Sequence, residues 1–189
     1  LKAASKEQAI NEMEEGAVLL RNNDVDGQPA LPLAKGASIS LFGHGSEDPM
    51  YKPPSGGPTY NNNPQTNVRD GLMQAGFQIN DTLYNAYASA RANWSYGSGT
   101  RSENMTVGDW NIYEVSPDFY DQTGIRDSYS QYGDAAVVFI SRTAGENRDC
   151  PTGNPERDAM WYNREDPNQD YLALFPNEEA MLREVGSHF

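Results

Sequence analysis

The strongest constraint on the fold is a continuous apolar run in the last third of the chain. All residues from Ala135 to Ile140 are apolar, and a strand is predicted over 134–141. A strand with one exposed face alternates apolar and polar residues, whereas an unbroken run of this length is typical of a parallel strand buried on both faces. A second short strand is predicted over 37–42, and it ends at Gly43.

Helical patterns surround these strands. Apolar residues recur near the helical period in several segments, and predicted helices cover 3–20, 68–75, 81–92 and 177–189, with weaker patterns near 117–120 and 125–132. Asp81 is expected to cap the helix that it begins, and Ala180, Leu182 and Val185 are expected to face the core in the last helix.

Gly76 ends one predicted helix, and a short strand is predicted at 77–80. Helix, glycine and short strand in succession are typical of α/β folds. We therefore expect an α/β fold with a mostly parallel sheet flanked by helices, which is a flavodoxin-like α/β sandwich. We expect one domain over 1–189, with the sandwich incomplete within this chain.

Composition narrows the classes of function. The chain has 189 residues, of which 37% are hydrophobic, so it can bury a core and is not expected to be disordered. Its formal net charge of −13 repels phosphate backbones and anionic membrane surfaces, so we expect no nucleic-acid and no membrane partner. A neutral ligand such as a sugar is compatible with this charge.

Metal and disulfide chemistry are not expected. The chain has one cysteine, Cys150, and two histidines, His44 and His188, which are far apart in sequence. These numbers favour neither a disulfide framework nor a metal site, and we expect no metal and no cofactor. Leu1 is not an initiator methionine, and residues 1–10 contain no signal-peptide core, so we expect a piece of a longer protein or a processed product. No apolar run is long enough to span a bilayer, so we expect a soluble protein, either cytoplasmic or secreted.

Ligands of open α/β sheets bind beyond the carboxyl ends of the strands, and two predicted strand ends carry polar loops. The first begins at Gly43-His44-Gly45 and leads into an irregular stretch over 43–68. Long ordered loops inside compact domains are usually functional, although a surface loop also fits. We expect His44 to be a hydrogen-bonding residue of this loop rather than a catalyst.

The second loop places a carboxyl group directly after the apolar strand. Glu146 follows Gly145 and lies between Arg142 and Arg148. A carboxyl group acts as a general acid when its pKa rises toward the working pH, and desolvation by a docked neighbour would raise it. The two arginines would lower the pKa if they lie close. By themselves, these residues are also explained by an ion-paired loop with no catalytic role.

Several segments resemble one enzyme family. Residues 15–22 (EGAVLLRN), followed by LPL at 31–33, are similar to the start of the second domain in glycoside hydrolase family 3, where a helix with an EG-x-VLL-K/R-N pattern leads to LPL and the first strand. The remaining similar segments are ISLFG at 39–43, SGG at 55–57, VVFISRTAGENRD at 137–149 and FPN at 175–177. Two features depart from the family pattern: Asn147 replaces the second glycine of GEG, and the glycine-rich loop is short.

The resemblance implies a retaining β-glycosidase, similar to β-glucosidases, that acts on a β-linked oligosaccharide or glycoside. The glutamate of the family's GE motif is the usual acid/base, which corresponds to Glu146. The family's nucleophile is an aspartate in a separate TIM-barrel domain, which we do not find in this sequence, so that domain of the same parent protein is the expected partner. Substrate-binding roles are implied for residues in both loops: Arg142, Arg148, Asp149, Tyr51, Ser55, Gly56 and Gly57.

Two other interpretations of the function remain open. The many aromatic residues would suit a non-catalytic carbohydrate-binding or scaffolding module. A flavodoxin-like or nucleotide-binding protein would share the fold class, but the sequence has no P-loop and no GxGxxG after a strand.

Overall fold

A computed structural model of the chain describes residues 2–47, 66–92, 114–141 and 172–189, except for the side chains of residues 2, 91 and 92. The chain divides into two compact units, Leu1–Ala34 and Lys35–Phe189. No helix in the described ranges is long and apolar enough to cross a membrane.

The first unit contains one helix and one hairpin. Helix α1 covers Lys2–Gly16, and strands β1 (Asp24–Val25) and β2 (Gln28–Pro29) pair in antiparallel fashion. The prediction of a helix to residue 20 is wrong: the helix ends at Gly16, a residue with poor helix propensity. The hairpin follows the helix, and the Asn22 side chain closes it through two hydrogen bonds of 2.8 Å to the Leu31 backbone.

The described part of the second unit is built on a parallel sheet of three strands in the order β4-β3-β5. The strands are β3 (Ser38–Phe42), β4 (Gln78–Ile79) and β5 (Ala135–Val138). Ile39 lies opposite Ile79 on one side and opposite Ala135 on the other. All five residues of β3 are buried. The predicted α/β class with a parallel sheet is confirmed.

Strand β5 differs from its prediction in burial. All four of its residues are half-buried rather than buried on both faces, and Ile140, which continues the apolar run, is 42% exposed. Strand β5 pairs with β3, and no strand in the described ranges pairs with its other edge. The apolar run therefore predicted the strand correctly and its burial incorrectly.

In the described ranges, four α-helices and one 3-10 helix pack in this unit besides the short helix α2 (His44–Glu47). They are α3 (Val68–Gln74), α4 (Asp81–Ala92), a 3-10 helix at Pro117–Asp121, α5 (Ile125–Tyr129) and α6 (Pro176–His188). Each coincides with a predicted helical segment.

Two details of the helices were predicted incorrectly. Asn80 rather than Asp81 caps α4, because the Asn80 side-chain oxygen accepts a hydrogen bond of 3.1 Å from the Leu83 backbone N–H. In α6, Met181 is fully buried, whereas the predicted core residues Ala180, Leu182 and Val185 are half-buried, with Val185 packed against the core.

The core is largely aromatic. The Phe42 ring, at the end of β3, lies 6.2 Å from the Tyr120 ring and 5.6 Å from the Tyr129 ring, measured between centroids. The buried cluster consists of Phe42, Leu83, Tyr87, Ala90, Val115, Phe119, Tyr120, Ile125, Tyr129 and Met181. This cluster covers the carboxyl end of β3 and holds α4, α5 and α6 against the sheet.

The chain turns sharply after β3 and enters the short helix α2 (His44–Glu47). Gly43 has φ of +90°, and a Cβ there would overlap the Phe139 carbonyl oxygen. A Cβ on Gly45 would lie 2.5 Å from Ser141 Oγ. We call residues 43–47 the β3 turn. Two glycines thus allow the β3 turn to lie directly against the end of β5.

Substitution of Gly43 tests this close approach. Gly43→Ala and Gly76→Ala both place a side chain at positive φ, but a Cβ on Gly76 meets no atom within 4 Å. Both variants should lose about 1–2 kcal/mol from the backbone conformation. Gly43→Ala should lose about 1–3 kcal/mol more, because its Cβ overlaps a neighbouring strand. Urea unfolding of both variants measures the difference, and equal losses would contradict the close contact.

Candidate functional site

The carboxyl edge of the sheet is the candidate site. Strands β3 and β5 are parallel neighbours, so the β3 turn and residues 139–141 leave the sheet at the same edge. The Phe139 backbone N–H still donates to the Phe42 carbonyl oxygen at 2.9 Å, which extends the pairing to the point where the two chains diverge. This edge is where ligands bind in open α/β sheets.

The site residues predicted from the sequence lie outside the described residues. This applies to the proposed acid/base Glu146 and to all the predicted substrate-binding residues: Arg142, Arg148, Asp149, Tyr51, Ser55, Gly56 and Gly57. Their roles stay predictions. The described part of the edge is the β3 turn, the end of β5 and the side chains that hold them.

A buried hydrogen-bonded pair, His44 and Glu114, holds the β3 turn. His44 is 2% exposed and Glu114 is 5% exposed. Glu114 Oε2 accepts hydrogen bonds from the His44 backbone N–H at 3.0 Å and, with the ring protonated at Nδ1, from His44 Nδ1 at 3.3 Å. Glu114 Oε1 accepts from the Val115 backbone N–H at 3.0 Å. His44 thus forms hydrogen bonds, but its partner Glu114 lies outside the loop that begins at Gly43.

Glu114 was not identified from the sequence. It is 70 positions away from His44 and lies in a polar and aromatic stretch without periodicity, so no local pattern marks it. Its backbone carbonyl also accepts a hydrogen bond of 3.2 Å from the Asn177 side chain, at the start of α6. Glu114 therefore connects the β3 turn to the start of α6.

Two buried tyrosines complete this region. The Gly43 backbone N–H donates to the Tyr87 hydroxyl at 2.9 Å, and the Tyr87 and Tyr120 hydroxyls are 2.9 Å apart. Burial, and then the negative charge of Glu114, raise the pKa of Tyr87 well above its ordinary value. The same two causes raise the pKa of Tyr120. Both phenols stay neutral and serve as hydrogen-bonding groups rather than as bases.

The described side chains form a support rather than a reaction centre. The Glu114 carboxylate is buried and accepts three N–H groups, so its hydrogen bonds go to the protein itself. Within the described ranges, no group of three or more His, Cys, Asp or Glu side chains could hold a metal ion. This arrangement fixes the backbone at the sheet edge where ligands bind in open α/β folds.

Comparison with known proteins relates this fold to β-glucosidases. No family model matches the chain. A β-glucosidase of Ruminococcus albus is 32% identical over 188 residues, which cover 97% of this chain and 16% of that protein. A solved β-glucosidase from Paenibacillus barengoltzii superposes with a TM-score of 0.67 at 23% identity, covering 97% of this chain and 17% of the other.

These likenesses confirm two expectations. The structural likeness confirms the fold, because nearly the whole chain superposes on part of a β-glucosidase. The sequence likeness confirms the resemblance to β-glucosidases and fits a domain of an enzyme like those of glycoside hydrolase family 3. The chain spans about a sixth of the length of each relative.

The buried tyrosines predict a pH dependence of stability. A phenol whose pKa is raised by folding stabilises the folded state fully below the unfolded pKa of about 10, and this stabilisation is lost as pH rises toward the folded pKa. The free energy of unfolding should therefore fall above about pH 10. At that pH the folded chain should retain neutral tyrosines, as measured by absorbance at 295 nm.

Single variants and the unfolded chain provide the controls. Tyr87→Phe and Tyr120→Phe should each remove one tyrosine from the late-ionising fraction. The chain unfolded in guanidinium chloride should ionise all 11 tyrosines in one transition. Ionisation of every tyrosine near pH 10 with the fold intact would show that the two phenols are not buried as described.

Proposed function

We propose that the chain is a domain of a retaining β-glycosidase of family 3, similar to β-glucosidases, that supplies the acid/base Glu146 to an active site shared with a TIM-barrel domain of the same parent protein. The observation that carries this proposal is the 32% identity of 97% of the chain to part of a β-glucosidase. In this proposal residues 1–189 belong to the α/β sandwich domain, and a β-linked oligosaccharide or glycoside is the substrate.

The geometry of the sheet supports the location of the acid/base. Ser141 follows β5 at the carboxyl edge and directly precedes Arg142 in the sequence. Glu146 is therefore five positions beyond the last described residue of this segment. Ligands bind at this edge in open α/β sheets, so a catalytic group in this loop would lie near a substrate.

The proposed mechanism uses two carboxyl groups. The aspartate of the barrel attacks the anomeric carbon while Glu146 protonates the leaving oxygen, which gives a covalent glycosyl-enzyme. Glu146 then removes a proton from water, which attacks the anomeric carbon and releases the sugar with retained configuration. In retaining enzymes the two carboxyl groups are about 5–5.5 Å apart, so both domains must contribute to one cleft.

The other predicted residues have binding roles in this proposal. Arg142, Arg148 and Asp149 orient the loop that carries Glu146 or contact sugar hydroxyls. Tyr51, Ser55, Gly56 and Gly57 line the side of the cleft that receives the leaving group. A sugar is uncharged, so its binding is compatible with the net charge of −13. The reaction needs no metal or cofactor.

Glu146→Gln in the full-length parent protein tests the acid/base role. Turnover of a disaccharide should fall by about 10²–10⁴-fold, because its leaving group needs a proton. Glycosylation by an aryl glucoside with a good leaving group should change much less, and azide should restore release of the sugar. Glu179→Gln, on the exposed side of α6, serves as the control and should leave turnover unchanged. An unaltered rate on the disaccharide would exclude Glu146 from this role.

The separated chain provides a second test. It contains one carboxyl group of the proposed pair, so purified residues 1–189 should not hydrolyse an aryl β-glucoside at concentrations where the parent protein does. Hydrolysis by the separated chain would refute the two-domain site. Saccharide binding by the separated chain, together with no effect of Glu146→Gln in the parent, would instead indicate a carbohydrate-binding module.

A further inference from the structure

We infer that Glu114 and His44 are positioning residues: together they hold the β3 turn against the end of β5 and so set the direction in which the chain leaves the sheet toward Glu146. This inference rests on the proposed function. It adds to that proposal two residues that do not touch the substrate and that act through the backbone of the neighbouring strand.

The β3 turn is held by hydrogen bonds from two consecutive backbone N–H groups, those of Gly43 and His44. The Gly43 N–H donates to the Tyr87 hydroxyl on α4, and the His44 N–H donates to the Glu114 carboxylate. The His44 ring reaches the same carboxylate oxygen, so Glu114 holds both the backbone and the side chain of one residue. The turn closes on itself through a hydrogen bond of 2.9 Å from the Ser46 N–H to the Gly43 carbonyl oxygen.

The β3 turn has no free space on the side that faces the end of β5. A Cβ on Gly43 would overlap the Phe139 carbonyl oxygen, and a Cβ on Gly45 would lie 2.5 Å from Ser141 Oγ and 3.5 Å from Phe139 Cβ. Closely packed interiors transmit displacements, because neighbouring atoms cannot overlap. A shift of the β3 turn must therefore move residues 139–141 or open a gap beside them.

Burial of the Glu114 carboxylate is unfavourable in free energy. The Glu114 side chain is 1% exposed and the His44 side chain is 2% exposed. Burying a charge costs free energy, and a packed apolar side chain of similar volume is often at least as stable. A carboxylate does what an apolar side chain cannot: it fixes the directions of three N–H groups at once. This favours a role in geometry over a role in packing alone.

Variants of the full-length parent protein test the inference through substrate dependence. Glu114→Gln presents an amide group to N–H donors and should displace the turn. Turnover of a disaccharide should fall by about tenfold to a hundredfold, since small misplacements of a catalytic group have effects of this size. The glycosylation rate with an aryl glucoside that has a good leaving group should fall much less, because departure of that group depends little on protonation by Glu146. A simple loss of folded protein would lower both rates equally.

Two further variants and one control complete the design. Glu114→Asp keeps the negative charge and should lose less turnover than Glu114→Gln. His44→Gln removes the contact of the ring with Glu114 and should also lower turnover of the disaccharide, although the His44 backbone N–H remains to donate to Glu114. Asp134→Asn is the matched control: Asp134 accepts from the Ser38 backbone N–H at 2.8 Å, so it holds the opposite end of the same strand. It should leave the ratio of the two rates unchanged.

Amide hydrogen exchange separates this inference from the proposed function. Glu114→Gln should accelerate exchange both in the β3 turn and at residues 139–141, and this readout does not depend on glycosidase activity. Faster exchange in the turn alone would overturn the inference, and so would equal losses on both substrates. No effect of Glu146→Gln on the disaccharide would overturn the proposed function, while the exchange result would still decide whether the turn and β5 are coupled.

Discussion

Strand β3 is paired on both sides, and this position constrains the rest of the second unit. Five successive residues are buried, two of which are serines, so their hydroxyl groups must find partners inside the protein. Ser38 Oγ donates to Asp134 at 2.8 Å, and Ser40 Oγ donates to the Tyr132 carbonyl oxygen at 3.0 Å. These bonds attach the segment before β5 to β3. The parallel register then pairs Leu41 with Val137 and Phe42 with Val138, which brings the carboxyl ends of the two strands together.

Polar contacts thus fix the two ends of β3 in different ways. At the amino end, the exposed Asp134 binds Ser38, and these hydrogen bonds lower the pKa of its carboxyl group. At the carboxyl end, the buried Glu114 binds the turn beside an aromatic core. A buried interaction resists competition from water more than an exposed one. The candidate site therefore lies at the more rigidly held end of the strand.

The sequence predicts elements better than their surroundings. The spacing of apolar residues, and the residues that begin or end an element, identify β3, α4 and α6. Each of these elements is defined by residues close together in the chain. Burial of β5 depends on a second pairing partner, and the burial of Met181 rather than Leu182 depends on the rotation of α6 against the core; neither is local. The His44–Glu114 pair joins distant segments, so only the fold brings it together. The loop with Glu146 was recognised through family resemblance.

Asn80 shows how tightly formation of the helices is linked to formation of the sheet. Its side chain caps α4 through the Leu83 N–H and donates to Ser40 Oγ on β3 and to Ser128 Oγ on α5, at 3.0 and 2.8 Å. An isolated helix of 12 residues is marginal in water. Because one amide group contacts both helices and the central strand, its full set of hydrogen bonds forms only when all three elements are in place, which links their folding.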